Sequence, residues 1–321
     1  MVIKGAFAEA QKAMEESIAL SREIGGLSGL AITLNNVAEV RFDLGDTAGA
    51  KNAYSESLAT FQKNGEKSKS AYPMVGLGDV LVATGDLAGA KKNYEEALAL
   101  SREAGDKHEA AMAVSSSGRL LVQQASFAEA RKKFEEALAL RTEMGEKDAV
   151  ADSLLDLASV SGEEGRLAEA ETSMRKAITD IQALKLPDRE ASARALLARN
   201  LIEQGKVREA QNQIAVAKSL TAKSQHRGVA LQVHIADAQV QAASGKPANV
   251  DAAIAILNRA LEEATRFDFV MYQFEARLAL GEIEIKSGKI SAGHDRLQNL
   301  KKDAQAKQYL LMAGKAAKTG G

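Results

Sequence analysis

The chain has 321 residues, a formal net charge of −1 and no cysteine. The balanced charge excludes the strongly basic field that drives binding to a nucleic acid backbone. The absence of cysteine excludes disulfides and thiolate chemistry and fits a reducing compartment, so we expect a cytoplasmic protein. The longest apolar stretches fall far short of the roughly 20 residues that span a bilayer, so we expect no membrane segment.

A glycine recurs every 40 residues along the chain, and in every unit but the last an alanine follows five positions later. The glycines are Gly5, Gly45, Gly85, Gly165, Gly205 and Gly245, with Ala125 in the vacant slot, and the alanines are Ala10, Ala50, Ala90, Ala130, Ala170 and Ala210. A fixed period of this size indicates a stack of similar units rather than one globular core. We therefore predict a single repeat array without a dividing linker.

Each unit carries a helical pattern on either side of its glycine. After Gly85, the residues Ala90, Tyr94 and Ala97 lie at i, i+4 and i+7, which places them on one stripe of a helix. Residues 74–81, before the glycine, form a second helical stripe. Each unit is therefore predicted to be a helix A, a turn with the glycine in the left-handed cap position, and a helix B.

The N-terminal end departs from this pattern. Only four residues precede Gly5, so residues 1–25 predict a partial first repeat in which helix B has no helix A beside it. This arrangement leaves Phe7, Met14 and Ile18 partly uncovered, whereas a terminal repeat needs a polar outer face. We expect self-association through this uncapped end.

At the C-terminal end, residues 306–321 combine a short apolar cluster with several lysines. This composition predicts a capping helix and tail that cover Leu297 and Leu300, in preference to an amphipathic membrane helix. Residues 1–305 then form the array, with about seven helix pairs after the partial first repeat.

Two polar clusters interrupt the helical patterns. Serines at 115–117 indicate either a soft spot in a helix or a polar floor, and the soft spot is favoured. His234 and Asp237 indicate either a buried polar site or a unit whose apolar face is shifted onto other residues, and the shifted face is favoured. The four histidines lack the spacing of metal ligands. No nucleophile signature is present, so we expect no enzyme activity and no cofactor.

The pattern resembles the tetratricopeptide repeat (TPR) family. The match is a small residue at the eighth position of helix A, then the turn glycine, then alanine, a large apolar residue and alanine on helix B. The small residues are Ala38, Gly78, Gly118, Ala158, Ala198, Ala238 and Gly281. The resemblance covers nearly the whole chain and implies an all-α fold, a right-handed superhelix of antiparallel helix pairs. The usual TPR period is about 34 residues, so the chain is similar to the longer-repeat branch typified by kinesin light chains and bacterial regulatory arrays.

The resemblance also implies where a partner binds. In TPR arrays, set positions of each helix A line a concave groove that holds extended peptides. Carried onto this sequence, the candidate groove residues are Asn35, Asn36, Glu39, Phe42, Tyr72, Asp79, Ser116, Arg119, Asp156, Arg199 and Gln239. No three consecutive units carry the lysine, asparagine and arginine of a carboxylate clamp, so we do not expect capture of chaperone tails.

The resemblance thus implies a non-enzymatic scaffold that binds a protein or peptide partner, without a metal, a cofactor, a nucleic acid or a membrane. Arrays of this kind resemble the C-terminal halves of bacterial signalling proteins such as serine/threonine kinases and winged-helix regulators. We therefore expect the interaction part of a larger signalling protein. The alternative is a stand-alone oligomerisation or assembly scaffold.

Overall fold

The computed structural model of the protein describes the backbone of residues 2–320 and the side chains of residues 12–320. Over these residues the secondary structure is helical and contains no strand, which confirms the predicted all-α class. A short 3-10 turn spans Lys67–Ser70. The α-helices are α1 (Val2–Ile24), α2 (Leu27–Asp43), α3 (Thr47–Lys63), α4 (Ala71–Thr84), α5 (Leu87–Ala104), α6 (Lys107–Gln123), α7 (Phe127–Met144), α8 (Lys147–Glu163), α9 (Leu167–Ala183), α10 (Pro187–Glu203), α11 (Val207–Thr221), α12 (Arg227–Ala243), α13 (Pro247–Arg266), α14 (Val270–Lys286), α15 (Ile290–Ala306) and α16 (Leu310–Gly320).

Helices α2 to α15 form seven consecutive pairs, which we call unit 1 (α2/α3) to unit 7 (α14/α15). The even-numbered member of each pair is helix A and the odd-numbered member is helix B. Helices A of successive units, such as α4 and α6 or α10 and α12, contact each other directly, whereas helices B of neighbouring units lie farther apart. Helices A therefore line the inner, concave side of the array, and helices B lie outside.

The A–B turn of a unit depends on one residue in the left-handed region. Gly85 has a φ of 92°, and Ala125 takes a φ of 57° at the corresponding place. Asp46 and Asp86, the residues after the glycine in units 1 and 2, accept the backbone N–H of the third residue along at 2.9 and 2.8 Å. The local turn is thus fixed by a glycine cap followed by an aspartate N-cap. Gly5 differs, because it lies inside α1.

Small residues let helices A and B approach closely around one large side chain. Ala90, Tyr94 and Ala97 of α5 are all buried. A Cβ added to Gly78 of α4 would lie 2.4 Å from the Tyr94 ring, so only glycine fits there. Phe134 lies against Gly118 in the same way in unit 3. The repeat register that the sequence predicts is therefore the packing register of the helices.

The end of the superhelix returns to its beginning. The Thr47 hydroxyl at the start of α3 donates to the carbonyl of Phe267, 3.2 Å away, in the turn before α14. The Tyr309 hydroxyl, in the turn before α16, donates to the carbonyl of Val82 near the end of α4. The connections before α14 and α16 therefore lie against the A–B turns of units 1 and 2, and successive turns of the superhelix are in contact.

Helix α16 lies between these turns of the superhelix. Its Leu311, Met312 and Ala316 are buried in one apolar cluster with residues of units 2 and 7. Leu297 and Leu300 of α15 belong to the same cluster and are fully covered. The C-terminal helix therefore packs against both helices of unit 7 and also contacts α6 of unit 3.

At the N-terminus, α1 packs beside α2. Met14 and Ile18 are half-buried, and Phe7, which we expect to be partly uncovered, lies outside the described side chains. Leu20 is 57 % exposed and Ile24 is 74 % exposed. None of the helices described between residues 2 and 320 is long and apolar enough to cross a membrane.

Candidate functional site

Polar side chains from three successive helices A meet on the concave surface. The Tyr94 hydroxyl donates to Asp79 Oδ1 at 2.6 Å, and Ser116 of α6 also hydrogen-bonds Asp79. Arg119 Nε, one turn further along α6, donates to Oδ1 of Asp156 on α8 at 3.3 Å. We call Asp79, Ser116, Arg119 and Asp156 the polar ladder. The structure thus brings four of the predicted groove residues together in one network.

The charges of the polar ladder are held in a partly desolvated setting. Burial raises the pKa of Asp79, although Arg119 and the hydrogen bonds of Tyr94 and Ser116 oppose this shift. The neighbouring carboxylate of Asp156 raises the pKa of Arg119. The Arg119 side chain is nevertheless about half exposed. The ladder therefore presents fixed donors and acceptors that a ligand in the groove can reach.

The serines at 115–117 form part of this surface. Helix α6 runs through them without a break. Ser115 Oγ donates to Asp156 Oδ2 at 3.2 Å, and Ser117 Oγ donates to the carbonyl of Ala113 at 2.7 Å. Ser115 and Ser116 therefore belong to the polar floor of the groove, whereas Ser117 bonds the backbone of its own helix; the soft spot expected from the sequence stays a prediction.

A second polar group surrounds Tyr72 at the N-terminal end of α4. The buried Asn35 of α2 is a hydrogen-bond donor to the Tyr72 hydroxyl, and the pKa of Tyr72 is raised by burial and by the charges of Glu39 and Glu109. Burial also raises the pKa of Glu39, and it raises that of Glu109 to about 7. We call Asn35, Glu39, Tyr72 and Glu109 the tyrosine cluster. The remaining candidate of this region, Asn36, is exposed on α2.

Other predicted groove positions are taken up by contacts within the chain. The ring of Phe42 meets that of Phe269 edge-on, with centroids 5.8 Å apart. Arg199 Nη1 of α10 lies 3.3 Å from Glu275 Oε2 of α14. Phe269 directly precedes α14 and Glu275 belongs to it, so the groove that the resemblance implies is not one continuous open surface. It is filled at the C-terminal end of α2 in unit 1 and at Arg199 of α10 in unit 5.

A cavity of about 1430 Å³ lies where the C-terminal ends of helices A approach α16, and Gln239 is among its lining residues. Its acidic wall includes Glu163, Glu203 and Glu282. Lys315 of α16 reaches this wall, with its Nζ 2.6 Å from Glu163 Oε1. Burial raises the pKa of Glu203 and of Glu282. Part of this acidic wall is therefore already paired with a lysine of the same chain.

The polar residues at 234–237 do not form a site. Leu231 and Ile235 are fully buried and His234 is exposed, which confirms the shifted apolar face of this unit. The carboxylate of Asp237 accepts Lys218 Nζ at 2.7 Å and Gln241 Nε2 at 3.0 Å, so its charge is compensated. Among the side chains of residues 12–320, no group of three or more His, Cys, Asp or Glu is placed to hold a metal ion.

Glu109 is the residue of this surface that the sequence analysis missed. It lies three residues before Met112 and seven before Ser116, so all three share one face of α6. This spacing could have extended the candidate groove by one turn. Glu275 could not have been found in that way, because its contact with Arg199 joins helices that are distant in sequence.

The array of helix pairs and the small-residue register define the protein as a TPR solenoid. Residues 70–312 match the family described as the MalT-like TPR region. The match covers well over half of the chain, so the protein belongs to this family. No curated protein matches the chain in sequence.

Solved structures of three other proteins are among those that share the fold. The Rap conjugation gene regulator of plasmid pLS20, in complex with the Phr* peptide, has a TM-score of 0.69 and 15 % identity over 89 % of this chain and 76 % of its own. A Rap protein complexed with Competence and Sporulation Factor has a TM-score of 0.69 and 12 % identity over 93 % and 86 %. Aspartyl phosphate phosphatase F from Bacillus subtilis has a TM-score of 0.62 and 8 % identity over 92 % and 75 %. At such identities the likeness concerns the fold alone.

Proposed function

We propose that this protein is a non-enzymatic TPR scaffold that binds an extended peptide segment of a partner on the polar ladder. The observation that carries the proposal is the convergence of Asp79, Ser116, Arg119 and Asp156, from three successive helices A, on the open part of the concave surface. Charged and hydroxyl groups of this kind supply both donors and acceptors for a peptide backbone.

The spacing of the helices suits an extended ligand. Packed helices lie about 8 to 10 Å apart, and an extended chain advances about 3.3 Å per residue, so a peptide that crosses the groove meets a new helix A roughly every three residues. A segment of about eight residues would therefore span α4, α6 and α8. Two of the solved structures with this fold hold a peptide or a factor, which supports the same use of the fold here.

The wider role that we propose is that of the interaction part of a larger bacterial signalling protein. Support comes from the membership in a family described as a TPR region and from the gene regulator among the proteins of the same fold. A kinase or winged-helix domain in the reading frame that contains this chain is the expected finding. A frame that encodes the array alone would contradict this wider role and leave the peptide site untouched.

The peptide site is tested by fluorescence anisotropy with fluorescein-labelled pools of random octapeptides. We expect Arg119→Gln to weaken binding about tenfold, because a charge-assisted contact contributes on the order of 1.4 kcal/mol. Lys132→Gln, on the exposed outer side of α7, is the matched control and should bind as the parent does. Equal binding by both variants, or no binding by the parent, would contradict the proposal.

Self-association is a second candidate function, because apolar side chains are exposed on α1 and α2. Leu20 and Ile24 are more than half exposed, and Ile32 is 49 % exposed. Light scattering after size exclusion should show a dimer or larger species that Ile24→Glu converts to monomer. Ile290→Glu, at a comparably exposed isoleucine of α15, is the control and should leave the mass unchanged. A parent protein that is monomeric at all concentrations would exclude this function.

A further inference from the structure

Two buried acceptor atoms of the tyrosine cluster have no donor. Asn35 is only 2 % exposed, and its Oδ1 makes no hydrogen bond with any described residue. Glu109 Oε2 is buried and likewise lacks a partner among the described residues. Buried polar atoms are almost always paired in native proteins, and an acceptor left without a donor is costly. Asn35 Oδ1 and Glu109 Oε2 are therefore acceptors that the described residues leave unused.

The basic residues that act on the cluster are already engaged. Arg189 is the cation that acts on Glu39, but its guanidinium is bound to two aspartates of α8 at 3.0 and 3.2 Å. His108 is the basic residue that acts on the pKa of Glu109, but its ring contacts Glu146 at 2.6 Å. The carboxylates of Glu39 and Glu109 thus have no cation of their own within the described part of the chain.

Tyr72 joins these groups into one site. Its hydroxyl takes the Asn35 donor, and both carboxylates lie close enough to raise its pKa. The half-buried tyrosine ring adds a π face, which attracts a cation. The site thus offers two carboxylates, an amide oxygen and an aromatic face. These groups suit a ligand group that carries hydrogen-bond donors and a positive charge and has no acceptor. Guanidinium and ammonium groups have this combination.

We propose that the tyrosine cluster binds a positively charged side chain, arginine or lysine, of the peptide that occupies the groove. This proposal rests on the proposed function, since the same peptide must also cross the polar ladder. The two surfaces adjoin, because Tyr72 and Asp79 lie two turns apart on one face of α4, and Glu109 and Ser116 lie two turns apart on one face of α6. One extended segment can therefore contact the cluster and the ladder together.

The experiment uses octapeptide pools with one position fixed in turn as arginine or as citrulline, which has the same shape without the charge. We expect the parent protein to bind the arginine pool at least tenfold more tightly than the citrulline pool at one position. The double variant Glu39→Gln, Glu109→Gln should lose this preference. Glu103→Gln, at an exposed glutamate of α5, is the control and should keep it.

Folding is checked by thermal melts of every variant. Glutamine has the shape of glutamate, and neither carboxylate has a cation partner to lose, so the variants should melt at or above the parent temperature. Glu109→Lys provides a second readout, because it should move the preference from arginine towards aspartate at the same position.

The outcomes separate the two proposals. If no pool binds, the peptide-binding function and the cation site both fail. If pools bind without an arginine preference, the cation site is wrong and the peptide function stands. If the double variant keeps the preference, the cation binds elsewhere and the assignment to the tyrosine cluster is overturned.

Discussion

The inner faces of α4 and α14 occupy equivalent places in their units and have different surroundings. On α4 the inner face carries Tyr72 and Asp79, which are half-buried and lie on the concave surface. The residues at the same positions of α14 are Glu275 and Glu282, and Glu275 is paired with an arginine of α10. Leu278, on the same side of α14, is buried in a cluster with unit 2. The same helix of the repeat thus forms a candidate binding surface in unit 2 and a packing surface in unit 7.

This difference follows from the position of each unit in the superhelix. By unit 7 the array has completed a turn, so the inside of α14 meets the A–B turns of units 1 and 2 rather than solvent. An apolar face is stable there because it is buried, and it would be costly on an open groove. The self-packing of the C-terminal units therefore covers the C-terminal ends of helices A in the first four units and leaves the earlier turns of these helices as the accessible part of the concave surface.

Removal of residues 306–321 should have the largest effect on this arrangement. The deletion takes away Tyr309, Leu311 and Met312 and exposes Leu297 and Leu300. We predict a large fall in the melting temperature and aggregation, measured by circular dichroism and light scattering. An unchanged melting temperature, together with loss of binding to anionic vesicles, would instead indicate a membrane role for this segment.

Phe269→Ala should be the most damaging single substitution of the contact between the turns. Phe269 is buried and its ring meets Phe42, Phe267 and Tyr272 at centroid distances of 5.8 to 6.0 Å. Loss of a buried aromatic ring costs about 3 to 5 kcal/mol, which urea denaturation can measure. Ile290→Ala, at an exposed site, should cost far less. Equal effects would show that the turns are not packed together.

Ala90→Leu tests the packing of helix B on helix A in unit 2. Ala90 is fully buried, and the added side chain should cost about 1 to 3 kcal/mol through overpacking. Ala130→Leu should do the same in unit 3. Ala88→Leu, on the exposed side of α5, is the control and should leave the melting temperature nearly unchanged. Unchanged melts for both buried sites would contradict the repeat register.

The smallest effect concerns the charge of Glu109. Burial raises its pKa from 4.5 to about 7 in the folded protein, so the folded state binds a proton that the unfolded state has lost between these pH values. The contribution of this residue to stability therefore falls as the pH rises through that window. Other carboxyls with a raised pKa change the stability in the same direction. The effect of Glu109 is therefore measured as a difference between the parent protein and a variant at this position.

Glu109→Gln should flatten this dependence and stabilise the protein at pH 8 relative to the parent by about 1 to 2 kcal/mol, after allowance for solvent screening. Urea denaturation at pH 5 and pH 8 measures the difference. The control variant Glu103→Gln should retain the parent slope. A parent protein that gains stability between pH 5 and pH 8 through this residue would contradict its desolvated setting.

The sequence predicts the repeat and its register because both depend on local contacts. The left-handed residue at Gly85, the cap at Asp86 and the close approach of Tyr94 to Gly78 all lie within one unit. A periodic pattern of glycine, alanine and large apolar residues reports such contacts directly. For the same reason the residues of the polar ladder, which are defined by their place on helix A, could be named in advance.

The return of the superhelix to its start could not be predicted in this way. It depends on small rotations between neighbouring units that add up over a whole turn of the superhelix. The sequence of one unit does not determine this total rotation. Phe42 and Arg199 therefore have the positions of groove residues, but Phe42 contacts the connection before α14 and Arg199 contacts α14 itself. The tyrosine cluster could be predicted in part. The resemblance supplies Asn35, Glu39 and Tyr72 as groove positions, whereas Glu109 lies one helical turn outside them.

The contact between unit 1 and the connection that joins units 6 and 7 is the central claim, and a distance measurement tests it most directly. The chain has no cysteine, so single cysteines can be placed at Ala48 and Thr265, both exposed and close to the contact between Thr47 and Phe267. Spin labels at these sites should give one narrow distribution at short distance. A broad distribution at long distance would show an open superhelix and contradict the account.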